Sequence, residues 1–116
     1  MQPVHLDLAK LPESDGNQIV MRLDGKLSLE TVHNFIQTLR PEPVAHLVLD
    51  MSGVSYLDSA GVGALVQIFV HRRSKGQKFS LTGLTKQGSA VMQVAGLTKL
   101  LPIFGTVADA LEARPT

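Results

Sequence analysis

Residues 47–63, Leu47-Val48-Leu49-Asp50-Met51-Ser52-Gly53-Val54-Ser55-Tyr56-Leu57-Asp58-Ser59-Ala60-Gly61-Val62-Gly63, decide the fold. The apolar run Leu47-Val48-Leu49 ends in Asp50 and reads as a buried strand, apolar on both faces, as a central strand covered on both sides requires. A short loop follows. Asp58-Ser59-Ala60-Gly61 then opens a long apolar helix over about residues 60–75. Ser59 therefore stands where a helix begins, on a loop at the carboxyl end of a strand. The first N–H groups of a helix lack internal partners and carry partial positive charge. They can receive phosphate oxygens, so a serine at this point suits a chemical switch.

Outward from this stretch, strands alternate with helices. Val4, Leu6 and Leu8, and then Ile19, Met21 and Leu23, occupy alternate positions and predict two half-buried strands. The turn formers of Pro12-Glu13-Ser14-Asp15-Gly16-Asn17 join them as an antiparallel pair. Gly25 breaks the pattern, and Ser28 is placed to cap a helix whose stripe is Leu29, Val32, Phe35, Ile36 and Leu39. Pro41 and Pro43 end it.

The helix after Ser59 carries Leu65, Val66, Ile68, Phe69 and Val70 around most of its circumference, and Gly76 stops it. Gly61 and Gly63 in its first turns permit close approach, either of a neighbouring strand or of a partner. Phe79-Ser80-Leu81-Thr82 is a strand, and Thr85 caps a helix to about Ala95, closed by Gly96. Pro102-Ile103-Phe104 is an edge strand, and Thr106 caps a last helix. The order β-β-α-β-α-β-α-β-α implies one α/β domain over residues 1–116. Its sheet is mostly parallel, with four to five strands and an antiparallel N-terminal strand, packed by about four helices.

Composition removes several classes. The 116 residues suit one domain with a real core. Cysteine is absent, so no disulfide and no cysteine-ligated metal can form. A net charge of +1 gives no nucleic-acid surface, and the one basic cluster, Arg72-Arg73 with Lys75, complements the dipole at a helix end. The N-terminus shows no signal peptide, and the Val62–Val70 run is too short for direct membrane insertion, which needs about 20 residues. The expected location is cytoplasmic. His5, His33, His46 and His71 are isolated and read as surface or edge residues, so no metal site is expected. No phosphate-binding Gly-Lys-Ser/Thr loop is present, and no cofactor is expected.

Leu57-Asp58-Ser59-Ala60-Gly61 has the strand-turn-helix setting of a hydrolase nucleophile elbow but lacks its first glycine. The only histidine after Ser59 is His71, about 18 Å along the same helix at 1.5 Å per residue, out of reach as a base. The chain is therefore not expected to be an enzyme.

The pattern resembles the STAS domain family, named for sulfate transporters and anti-sigma factor antagonists, over nearly the whole chain. Four segments carry the resemblance: Arg22–Ser28, Leu47–Val54, Asp58–Leu65 and Val94–Leu101. The third, with Asp58-Ser59-Ala60-Gly61, is the most specific and matches the family's phosphorylation loop. The resemblance implies an anti-sigma factor antagonist. In that cycle the unphosphorylated protein binds an anti-sigma factor, itself a serine kinase, and a sigma factor is released. Phosphorylation of Ser59 breaks the complex, and a metal-dependent serine phosphatase resets it. The implied partner surface is Asp24, Lys26, Ser28, Ser55, Tyr56, Asp58, Ser59, Gly61 and Val62. Ser52 is a further hydroxyl in the loop; Leu57 and Met92 are assigned to packing. Many relatives carry an acidic residue where this chain has Ser28. The end at residue 116 without an added domain favours a free-standing member over a transporter tail. The rival role within the family is a soluble accessory of a phospholipid-transport ABC complex or a scaffold of a sensory assembly.

Overall fold

The structure, a computed structural model, describes residues 4–113. Residues 1–3 and 114–116 of the single-domain reading lie outside the described residues. The elements are β1 (Leu6–Lys10), β2 (Gln18–Leu27), α1 (Val32–Leu39), β3 (His46–Leu57), α2 (Ser59–Ser74), β4 (Lys78–Thr82), α3 (Lys86–Val94), β5 (Ile103–Phe104) and α4 (Val107–Glu112).

The strands lie in chain order, β1-β2-β3-β4-β5, in one mixed sheet. β1 pairs antiparallel with β2, and every later pair is parallel. Each step from β2 to β5 moves in the same direction across the sheet. Right-handed crossovers therefore put α1, α2 and α3 on one face. That face holds the main core, with Leu23, Leu47, Leu49, Phe35, Leu65, Ile68, Leu81 and Met92. A smaller cluster of Val20, Val48 and Ala110 lies beneath α4 on the other face. β3 thus buries both faces, as its apolar run requires.

Two strands are longer than their hydrophobic pattern shows. β3 continues through Met51–Leu57, the segment read as a loop, so Ser52, Ser55 and Tyr56 are strand residues. Only Asp58 separates β3 from α2. β2 likewise runs through Gly25, which adopts φ +124° and pairs with both Leu6 and Val54. A side chain at Gly25 would collide with the His5 carbonyl oxygen. The β2–β3 register shifts between Arg22 and Asp24 and again between Gly25 and Lys26. These bulges make β3 the longer partner, and bulges bend a strand and re-aim its end.

α1 starts later than expected. Thr31, not Ser28, precedes it, and Leu29 is 70% exposed rather than part of the apolar stripe. Ser28 is buried. Its N–H donates to Thr31 Oγ1 at 3.0 Å, and its carbonyl accepts from the N–H groups of Thr31 and Val32. Thr31 Oγ1 in turn donates to the Lys26 carbonyl at 2.7 Å. Serine and threonine hydroxyls close such local turns readily, and here the turn replaces the cap.

Arg72, read as a helix-end cation, and His46, read as a surface or edge residue, are both interior. Arg72 is fully buried, and its guanidinium donates to the carbonyls of Lys78 (2.8 Å), Glu42 (3.0 Å) and Val44 (2.6 Å). It ties the end of α2 to the starts of β3 and β4. His46 is buried between Gln18 Oε1 (2.8 Å) and Ser80 Oγ (2.7 Å), across three strands.

Candidate functional site at the start of α2

Asp58 is the N-cap of α2, with extended backbone at φ −109° and ψ −177°. Its Oδ1 accepts the Gly61 N–H at 2.8 Å, and its Oδ2 accepts the Leu29 N–H at 3.1 Å. The Asp58 N–H donates to the Leu27 carbonyl at 3.3 Å, and the Asp58 carbonyl accepts the Val62 N–H at 2.9 Å. One residue therefore joins the end of β2, the β2–α1 segment and the first turn of α2.

Ser59 is the first residue of α2 and is exposed. Among the described residues its hydroxyl has no hydrogen-bond partner. Asp58 takes the Gly61 N–H, leaving the N–H groups of Ser59 and Ala60 as the orphan donors of the first turn. Anions are favoured beside such donors.

The two early glycines of α2 differ in purpose. A Cβ on Gly61 would run into the Leu27 carbonyl oxygen and sit 2.8 Å from Leu57 Cδ1, so the close approach here is to a strand. A Cβ on Gly63 would meet nothing within 4 Å. Gly63 faces open space beside Ser59.

That space is a groove of about 710 Å³ between α2 and α3, lined by Ser59, Val62, Gly63, Val66, Ala90, Val91, Val94, Ala95 and Leu97. Its wall is almost wholly apolar, and Val94 is 90% exposed. The groove escapes a reading of helix periodicity, because Val91 and Val94 look like ordinary inward residues of α3. The available signal is Gly63, which removes a side chain from the facing helix.

Gln87, in the first turn of α3, is a further site residue that sequence reasoning missed. It accepts the Leu57 N–H with Oε1 at 2.9 Å and donates from Nε2 to the Leu57 carbonyl at 2.7 Å. The amide thus pairs with the last residue of β3 much as another strand would. α3 is itself capped by Thr85, whose Oγ1 accepts the Gly88 N–H at 3.1 Å.

The structure gathers most of the sequence-derived surface at the ends of β2 and β3. Lys26 pairs in register with Tyr56, and Ser55 Oγ donates to the Gly25 carbonyl at 3.2 Å. Lys26, Ser55 and Tyr56 are exposed, and Asp58 joins them to Ser59. Gly61 and Val62 are buried, Val62 forming part of the groove floor. Ser28 is buried under its own turn. Asp24 stands apart: Arg22 Nε donates to both its carboxylate oxygens at 3.2 and 3.1 Å. Val20, Arg22 and Asp24 alternate along β2, which puts Asp24 on the α4 face, away from the groove. His71 lies in the last turn of α2, at the far end of the helix from Ser59. Among the described residues no group of three or more His, Asp or Glu side chains converges as a metal site. No described helix is long and apolar enough to cross a membrane.

Known proteins share this fold. The family model described as Mlab, STAS domain, matches residues 3–102. The anti-sigma F factor antagonist of Paenibacillus polymyxa is 22% identical over 97 residues, covering 80% of this chain and 83% of that protein. The crystal structure of an anti-sigma factor antagonist from Mycobacterium paratuberculosis superposes with a TM-score of 0.81 at 22% identity, covering 95% of this chain and 94% of the other. The anti-sigma factor antagonist SpoIIAA in its unphosphorylated form gives a TM-score of 0.74 at 18% identity, covering 91% and 94%. The match over residues 3–102, on the same mixed sheet, shows that the chain belongs to the STAS domain family.

Proposed function

We propose that this protein is an anti-sigma factor antagonist whose unphosphorylated form binds an anti-sigma factor serine kinase and thereby frees a sigma factor. Phosphorylation of Ser59 dissociates the pair, and a serine phosphatase restores the binding form. The observation that carries this reading is Ser59 itself. It is the exposed first residue of a helix whose cap is already filled by Asp58, and its hydroxyl is unengaged among the described residues. The named relatives, antagonists of anti-sigma factors, support the same role.

The switch follows from charge. Transfer of the γ-phosphoryl group of ATP to Ser59 Oγ leaves ADP and adds about −1.5 to −2 charges near neutral pH. The N–H groups of Ser59 and Ala60 offset part of this, at about 0.3–1 kcal/mol for a favourable charge at an exposed helix start. The protein stays folded. A partner packed on this surface must instead desolvate a dianion beside Asp58. A loss of about 3–4 kcal/mol weakens binding a few hundredfold. No larger conformational change is needed.

The rival role, an accessory of a phospholipid-transport ABC complex or a sensory scaffold, differs in one respect. Its partner surface is indifferent to charge at residue 59. The direct test is incubation with the anti-sigma factor kinase and Mg-ATP, read by mass spectrometry. One phosphoryl group on Ser59, and none on Ser59→Ala protein, supports the switch. An unmodified wild-type chain under conditions where the kinase is active contradicts it.

A further inference from the structure

At the opposite end of α2 from Ser59, the C-terminal ends of α1 and α2 enclose a pocket of about 490 Å³. Three basic side chains line it: Arg40, which caps α1, and His71 and Lys75 at the end of α2. His71 and Lys75 are four residues apart and share one helix face. Arg40 reaches them from a segment more than thirty residues earlier in the chain, so the grouping is invisible along the sequence. Ile36, Pro41 and Pro43 supply apolar wall, and the exposed Gln37 adds an amide.

The one carboxylate in the lining is Glu42, and its Oε1 already accepts the Val44 N–H at 3.2 Å. The two helix ends contribute about half a negative charge each. Arg40 and Lys75 match Glu42 and both dipoles, and the buried Arg72 behind them adds the positive surplus. Basic residues that only balanced the helix ends would leave no such surplus.

We propose that this pocket is a binding site for a phosphate-bearing anion, with Arg40 and Lys75 as its charged ligands and His71 as a third donor. The site does not depend on the reading of Ser59. Phosphate suits it because separate cations converge from two helices around a concave space. His71 also makes the site pH-sensitive. Burial, and then the charges of Arg40, Lys75 and Arg72, hold it below the ordinary histidine value of 6.5, partly offset by the Arg40 backbone. A bound anion reverses the balance of charge and draws a proton onto the ring. Binding therefore tightens as pH falls through the histidine range.

The test is a titration of the full chain with inorganic pyrophosphate at constant ionic strength, followed by amide NMR. Saturable shifts confined to the ends of α1 and α2 are expected. The double variant Arg40→Gln/Lys75→Gln should bind at least tenfold more weakly, and Lys99→Gln, on a distant loop, should bind as wild type. Lowering the pH from 7.5 to 5.5 should favour binding severalfold more in wild type than in His71→Gln, whose own pH dependence reports the protonation of pyrophosphate itself. Phosphatidylglycerol vesicles form a second arm. Cosedimentation that the double variant abolishes makes the anion a lipid headgroup; pyrophosphate binding without it makes the anion a soluble phosphate. Unsaturable shifts spread over all basic residues, or equal losses in Lys99→Gln, would overturn the site. The melting temperatures of the variants report whether they are folded.

Discussion

Asp58 Oδ2 accepts the backbone N–H of Leu29 at 3.1 Å, across 29 residues of sequence. The same carboxylate caps α2 through Gly61. The residue before the candidate switch is thus a clamp between two loops, and Ser59 inherits its position from it. Asp58→Ala should destabilise the fold by about 1–2 kcal/mol, since both a cap and a long-range bond disappear. Asp58→Asn should fall between, because an amide oxygen can still accept from Gly61 while the amide nitrogen cannot accept from Leu29. Urea denaturation gives the energies. Amide exchange at Leu29 and Gly61 separates the two bonds.

Gln87 holds the end of β3 to α3 by a two-way bond to Leu57. Gln87→Ala leaves a backbone N–H and a carbonyl without their partner, and Gln87→Glu restores only the acceptor. Losses of about 1–2 kcal/mol for alanine and less for glutamate are expected. Unfolding midpoints at a pH where the introduced carboxylate is ionised check the order.

Gly61 and Gly63 should respond oppositely to alanine. At Gly61 the new methyl collides with the Leu27 carbonyl oxygen, and a cost of about 1–3 kcal/mol follows. At Gly63 it meets nothing, and the gain in helix propensity stabilises by up to about 1 kcal/mol. Gly63→Ala also narrows the groove beside Ser59. A weaker complex from a more stable protein would identify the groove as partner-binding surface.

The buried His46 links stability to pH. Burial, then the charges of Lys78 and Arg72, depress its pKa from 6.5. With Gln18 Oε1 accepting, Nδ1 carries the proton and Nε2 accepts from Ser80. Below pH 6.5 the unfolded chain takes up a proton that the folded chain resists, so stability is full above pH 6.5 and falls as pH drops from there toward the depressed native value. His71 acts with the same sign. Thermal melts between pH 8 and pH 5 should show the decline, and His46→Gln should reduce its slope.

Much of the fold is legible in the sequence because its signals are local. The strand Leu47–Leu49, the caps Thr85 and Thr106, and the alternation at Ile19–Leu23 each name an element without outside help. The extent of β3 is not legible. Met51–Leu57 holds Ser, Gly and Tyr, and pairs with β2 through two bulges that no periodic pattern encodes. Ser28 and Leu29 mislead for a related reason, since Thr31 builds a turn there that only the fold reveals. At the site, Ser59 and Asp58 are readable from strand-then-helix order. Gln87 is not, because its partner Leu57 lies 30 residues away. Arg72 reads as a helix-end cation and His46 as a surface or edge residue, because the hydrogen-bond partners that bury them come from other elements.

The most direct test of the phosphoswitch is a calorimetric titration of the anti-sigma factor kinase with three forms of the chain: unmodified, phosphorylated at Ser59, and Ser59→Ala. Equal, tight binding is expected for the unmodified and alanine forms. The phosphorylated form should bind a few hundredfold more weakly and keep its circular dichroism spectrum. Equal affinity of all three forms would contradict the phosphoswitch and make Ser59 a helix-start residue alone.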